Sequence, residues 1–94
     1  MVIGAFEVRL KVMGAQSLKE KRKVLKSLKD RFSRMNISIA EVDDQDKWQA
    51  ATIGIALVSN DAGYVNSAID KIAKSLSELP AVEIINSKVE IMHV

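Results

Sequence analysis

Two segments with the hydrophobic spacing of an α-helix are interleaved with four segments that alternate like β-strands. In residues 2–13, for example, Phe6, Val8 and Leu10 alternate with charged side chains. The strand patterns cover residues 2–13, 37–43, 48–59 and 82–93, and the helical patterns cover residues 17–35 and about 60–79. This βαββαβ order predicts an α+β ferredoxin-like sandwich, a four-stranded antiparallel sheet with two helices on one face.

The helix ends carry recognisable signals. Ser17 and Glu20 have the spacing of a capping box, in which the side chain of each residue accepts a hydrogen bond from the backbone N–H of the other. Asn36 suits the left-handed position that follows a helix, and Asn60 or Asp61 can cap the second helix. The only proline, Pro80, predicts where that second helix stops.

The length of 94 residues predicts a single domain, residues 1–94. The absence of cysteine excludes disulfides, thiolate metal sites and a cysteine nucleophile, and it fits a reducing compartment. No apolar run approaches the roughly 20 residues that a membrane-spanning helix needs. We therefore expect a soluble cytoplasmic protein with no membrane partner.

Positive charge is concentrated in the first helical segment. Residues 17–35 contain eight cationic and two acidic side chains, a net charge of +6, whereas the other six cations and ten acids give −4. Such a segment is either a solvated helix face or a surface for phosphates, which bind clustered cations without sequence specificity. The candidate nucleic-acid-binding residues are Lys19, Arg22, Lys23, Lys26, Lys29 and Arg34.

Lys21 is the exception among these cations, because its position falls within the apolar stripe formed by Leu18, Leu25 and Leu28. A lysine there either extends past the rim of the sheet or pairs with a carboxylate. Glu41 and Asp43, at the end of the second strand, are the candidate partners, and the sequence leaves these alternatives open.

The sheet face opposite the helices is expected to be open. Alternation places small side chains on the open face of the third strand, so this part of the sheet surface is flat. A flat surface of this kind indicates either self-association of two copies or a shallow binding groove flanked by the cations Arg9, Lys11 and Lys88. The possible interaction surface comprises Arg9, Lys11, Trp48, Ala50, Gly54 and Ala56.

The sequence signals for a catalytic site or a metal site are weak. The acidic cluster around Asp43 has no EF-hand spacing, and acidic residues are common in turns. Acylphosphatases share the length and the expected fold, but the loop of residues 14–17 contains no arginine. We therefore predict no enzyme activity, no cofactor and no metal site.

The stretches SLKEKR at residues 17–22 and AEVDDQDKW at residues 40–48 are similar to hallmarks of the YlxP-like family, small bacterial proteins of unknown function. The resemblance runs nearly end to end and implies the ferredoxin-like fold. It brings no catalytic residues. The genes of this family often lie beside those for an initiation factor and a ribosome-binding factor, which implies a link to translation.

These observations lead to one expected function and two alternatives. We expect a non-catalytic RNA- or ribosome-associated factor that binds phosphates through its first helix, with ribosomal RNA or the ribosome as the partner. The first alternative is a protein-interaction module that forms a homo-oligomer through the open sheet face. The second is a small-ligand or metal-binding regulator.

Overall fold

The predicted order of elements is present in the structure, a computed structural model that describes residues 1–94. The strands are β1 (Val2–Val12), β2 (Ser38–Asp43), β3 (Ala50–Ser59) and β4 (Val82–His93), and the helices are α1 (Leu18–Phe32) and α2 (Ala62–Ser77). The strands form one sheet in the order β2-β3-β1-β4, and every neighbouring pair is antiparallel. The ferredoxin-like prediction is confirmed.

The predicted cap residues are present at the helix ends, with differences in one bond and one boundary. The Ser17 hydroxyl accepts a hydrogen bond from the Glu20 N–H, and the Glu20 carboxylate accepts one from the Gln16 N–H. The helix ends earlier than predicted, because residues 33–35 form a 3₁₀ turn before Asn36, which adopts a left-handed φ of 53°. Asp61, rather than Asn60, caps α2.

The core lies between the helices and one face of the sheet. Gly4 in β1 marks the closest approach, since a Cβ atom there would overlap the Val65 side chain of α2. The buried side chains come from the sheet and from both helices, and they include Phe6, Val8, Leu10, Leu25, Leu28, Phe32, Ile53, Ile55, Leu57, Val65, Ile69, Ile72 and Leu76.

A register shift interrupts β2 where it pairs with β3. Glu41 lies opposite Ile53 and Asp43 lies opposite Thr52, so that Val42 is the extra residue of a β-bulge. Because one extra residue exchanges the two faces of a strand, Glu41 is on the helix side of the sheet and Asp43 is on the open side. A second shift occurs in the pairing of β1 with β4.

No helix covers the other face of the sheet. Three neighbouring strands place Val58, Ile3 and Met92 in one row on this face, and Val58 and Met92 are exposed. Neither helix is long and apolar enough to cross a membrane.

Candidate nucleic-acid interface

The predicted cations of the first helical segment lie together at the protein surface. All six are exposed, and none is within 4.0 Å of a carboxylate oxygen. From Lys19 to Lys29 the helix rises by about 15 Å, so five of the charges follow one another along α1. We call the six residues the basic face: Lys19, Arg22, Lys23, Lys26, Lys29 and Arg34.

Lys21 has a different environment, with only 1% of its surface exposed. Its ammonium donates hydrogen bonds to the backbone carbonyls of Asp44 (2.9 Å), Gln45 (3.3 Å) and Ala50 (3.2 Å). These three acceptors match the three N–H groups of a lysine. Of the alternatives for Lys21, the structure therefore shows a buried and fully bonded ammonium, not a lysine at the rim.

Glu41 supplies the opposite charge for Lys21. Its Oε2 lies 2.9 Å from the Lys21 Nζ and is itself buried. Because the three carbonyls take the ammonium hydrogens, Glu41 acts as a charge partner and not as a fourth aligned acceptor. The bulge at Val42 explains the choice of partner, since it turns Asp43 to the open face while Glu41 remains on the helix side.

The Asp44 carboxylate links three side chains from β1, β3 and the turn after β2. Its Oδ2 accepts hydrogen bonds from the Thr52 hydroxyl (2.7 Å) and the Arg9 guanidinium (3.1 Å), and its Oδ1 lies 3.1 Å from the Lys47 ammonium. The hydrogen bond from Thr52, followed by the contact with Lys47, lowers the pKa of Asp44 from 3.8 to about 2. Asp44 therefore remains a carboxylate in mildly acidic solution.

The β2–β3 loop, residues 44–49, is attached to the start of α1 and to the end of β1. Besides the bonds from Lys21, the Gln49 side-chain amide donates to the Ala15 carbonyl (3.0 Å), and the Val12 N–H donates to the Gln49 carbonyl (2.9 Å). Trp48 belongs to this loop and is 54% exposed. The bonds from Lys21 and Gln49 thus hold the loop backbone beside the start of α1, and the indole that the loop carries is exposed.

The open sheet face is less cationic than predicted. Arg9 is paired with Asp44, and Lys88 lies 3.3 Å from the Glu7 carboxylate, which leaves Lys11 as the exposed cation without an ion pair among the expected flanks. A groove of about 650 Å³ crosses the face; its lining includes Ala5, Ala40, Gly54, Ala56 and Val42.

Only part of the predicted interaction surface lines this groove, although Lys11 and Arg9 pair with Ala50 and Thr52 on the same face of the sheet. Gly54 and Ala56 line the groove, whereas Arg9, Lys11, Trp48 and Ala50 do not. The prediction that Trp48 begins the third strand is wrong, because β3 begins at Ala50 and the loop bonds of Gln49 precede it.

The linking role of Asp44 was not predicted from the sequence. The available signal was an acidic residue in a turn that follows a strand, and Asp43, Asp44 and Asp46 share that signal. What distinguishes Asp44 is its left-handed backbone, with φ of 63°, which turns its carboxylate toward the sheet. The bulge at Val42 precedes Asp44, and the Asp44 carbonyl accepts a hydrogen bond from Lys21.

The comparisons with known proteins agree with the fold and identify the family. The model of the DUF503 family, described as "Protein of unknown function (DUF503)", matches residues 3–89, and the chain belongs to this family. A protein of Bacillus subtilis (strain 168) named "Uncharacterized protein YlxP" is 35% identical over 83 residues, which cover 87% of this chain and 90% of the relative. This description assigns no function to the family.

Solved structures resemble this chain in fold alone. The designed protein Ferredog-Diesel superposes with a TM-score of 0.56 at 17% identity, over 94% of this chain and 83% of that one. SnoaB, a cofactor-independent oxygenase from Streptomyces nogalater, also gives a TM-score of 0.56, at 16% identity, over 100% of this chain and 94% of that one.

Replacing the buried lysine should strongly destabilise the protein. Lys21→Met removes the cation, leaves the Glu41 carboxylate without its charge partner and deprives three carbonyls of a donor. We expect the free energy of unfolding to fall by about 3–5 kcal/mol, measured by chemical denaturation.

Lys19→Met is the matched control, because Lys19 is exposed two residues away and its loss should cost less than about 0.5 kcal/mol. The double variant Lys21→Met/Glu41→Leu should recover part of the loss, since it removes the stranded carboxylate. Equal effects of Lys21→Met and Lys19→Met would contradict the assignment of Lys21 as a structural ion.

Asp44 should contribute to the acid sensitivity of the fold. Its pKa is lower in the folded protein, about 2 against 3.8, so its stabilising effect is present above about pH 4 and is lost as the pH falls toward 2. We expect the stability difference between the wild type and Asp44→Asn to shrink over that interval, as measured by denaturation at several pH values. A difference that stays constant from about pH 5 to pH 2 would show that the charge of Asp44 is not responsible.

Proposed function

We propose that this DUF503 protein is a non-catalytic factor that binds the phosphate backbone of RNA, in ribosomal RNA or the ribosome, through the basic face. The observation that carries the proposal is the division of charge on α1. The one cation that faces the core, Lys21, is neutralised by Glu41, and all six cations of the basic face are exposed and outside ion-pair distance of any carboxylate.

The charge on α1 is unusual for a surface that serves solubility alone, because such surfaces mix both signs. The second helix illustrates the contrast. Within α2, Lys71 and Lys74 are accompanied by Asp70, so that the helix carries a net charge of +1. Both helices face solvent on the same side of the sheet, and only one of them concentrates positive charge.

A row of cations on a helix suits a phosphate backbone for a physical reason. Each phosphate that is neutralised releases condensed counterions, so binding gains free energy without contacts to the bases and weakens as salt is added. RNA duplexes in particular are recognised through shape, phosphates and 2′-hydroxyls, since their deep major groove excludes side chains. The choice of ribosomal RNA as the partner rests on the translation-linked genes that the family resemblance implies.

The proposal predicts a steep salt dependence that changes with the charge of α1. Binding of labelled ribosomal RNA is measured across a salt series for the wild type and for Lys19/Lys26→Glu. The variant should bind more weakly, and its plot of log affinity against log salt should be flatter, because fewer counterions are released.

Lys71/Lys74→Glu on α2 is the matched control, since it makes the same change in charge on the other helix and should alter binding much less. Equal losses in the two variants would indicate a response to net charge alone and would contradict a site on α1. If the wild type does not bind the RNA at low salt, the proposal is wrong.

A second candidate function, self-association through the open sheet face, is supported by a separate observation. The groove floor of small residues adjoins the apolar row Val58–Ile3–Met92, and an exposed sheet face of this kind allows another sheet to approach closely. The Glu7–Lys88 ion pair beside the groove offers both signs of charge to an identical partner.

Sedimentation of the protein and of two arginine variants tests the second candidate. Val58→Arg introduces charge into the apolar row and should convert a dimer to a monomer. Tyr64→Arg is the control, because Tyr64 is also an exposed large side chain but lies on α2, on the other side of the sheet. A wild-type protein that sediments as a monomer at working concentration would exclude self-association as the function.

A further inference from the structure

Trp48 is an exposed aromatic side chain on an anchored loop, and the basic face does not account for it. Both of its neighbours in sequence are fixed. The Lys47 N–H donates to the Asp44 carbonyl and its ammonium pairs with the Asp44 carboxylate, while Gln49 is bonded to Val12 and Ala15. The indole between them is 54% exposed. A large aromatic side chain is therefore held toward solvent on an anchored backbone.

The anchoring holds the backbone on both sides of this indole beside the start of α1, the end of the helix at which the basic face begins. Lys21, whose ammonium binds three carbonyls of residues 44–50, lies in the first turn of α1 between Lys19 and Arg22. The loop and the first cations of the basic face are therefore parts of one rigid region.

An exposed indole beside phosphate-binding cations has a specific use in RNA recognition. Unpaired bases stack on aromatic side chains, and each such contact is worth about 1–3 kcal/mol. Bases inside a duplex are already stacked on their neighbours and are not available. The middle of the open sheet lacks an aromatic residue, and Arg9 and Thr52 at that place are bound to Asp44, so the sheet itself offers no stacking platform.

We propose that Trp48 stacks on an unpaired base of an RNA whose phosphates lie along the basic face. The partner is thus an RNA with a single-stranded segment, such as a loop, a bulge or an end, next to the phosphates that α1 contacts. This inference rests on the proposed function and extends it, because phosphate contacts alone do not distinguish paired from unpaired RNA.

The chain contains one tryptophan, so its fluorescence reports on residue 48 alone. The protein is titrated with a single-stranded oligoadenylate and, separately, with an RNA duplex of the same length. Stacking predicts quenching of the fluorescence by the single strand and little change with the duplex. Both affinities are measured in parallel by the anisotropy of labelled RNA.

Two variants complete the experiment. Trp48→Leu should weaken binding of the single strand about tenfold and leave binding of the duplex unchanged. Tyr64→Leu is the control, because Tyr64 is an exposed aromatic residue on α2, and it should change neither affinity. Circular dichroism verifies that both variants are folded.

The outcomes separate this inference from the proposed function. If the single strand binds with a steep salt dependence but causes no quenching, and Trp48→Leu binds it normally, the stacking inference is wrong and the basic face remains. Equal losses for single strand and duplex in Trp48→Leu would also overturn it, since the side chain would then act through the loop. If neither RNA binds, both proposals are wrong.

Discussion

The hydrogen bonds and the ion pair of the buried Lys21 ammonium fix the β2–β3 loop against the start of α1. The ammonium joins the first turn of α1 to three carbonyls of residues 44–50, and its charge is balanced by Glu41. Burying an ion costs several kcal/mol unless its hydrogen-bonding groups and its charge are both satisfied, and here both conditions are met. The helix start and the β2–β3 loop consequently form one region, and Asp44 connects that region to Arg9 and Thr52 of the sheet.

This arrangement separates the cations of α1 by role. Lys21 is used inside the protein, whereas the basic face remains available to a partner, and sequence composition does not show this division because all of these residues count equally as positive charge. The same network holds the loop that carries the exposed Trp48 beside the start of the helix. An interaction in the core thus links the loop to the helix that carries the exposed cations.

Much of the fold could be predicted from the sequence because its signals are local. The alternation of Phe6, Val8 and Leu10, the capping pair Ser17 and Glu20, and the helical spacing of the apolar residues each act within a few residues, and the structure contains the elements they indicate. The element order then leaves few topologies.

The sequence named Glu41 and Asp43 as candidate partners of Lys21, but the choice between them depends on the register of β2 against β3. Strict alternation puts Glu41 and Asp43 on the same face of β2, and only the bulge at Val42 separates them. The ion pair of Arg9 with Asp44 likewise depends on the left-handed backbone of Asp44. The exposure of the basic face was predicted correctly, since those residues lie away from the apolar stripe of α1.

The most direct test of this account is a map of backbone amide chemical shifts on addition of a ribosomal RNA fragment that contains a single-stranded loop. The account predicts that the largest changes occur together in residues 19–29 and in residues 44–49, because the two segments form one rigid surface. Changes confined to the open sheet face, around Ala56 and Val58, with α1 unaffected, would contradict it.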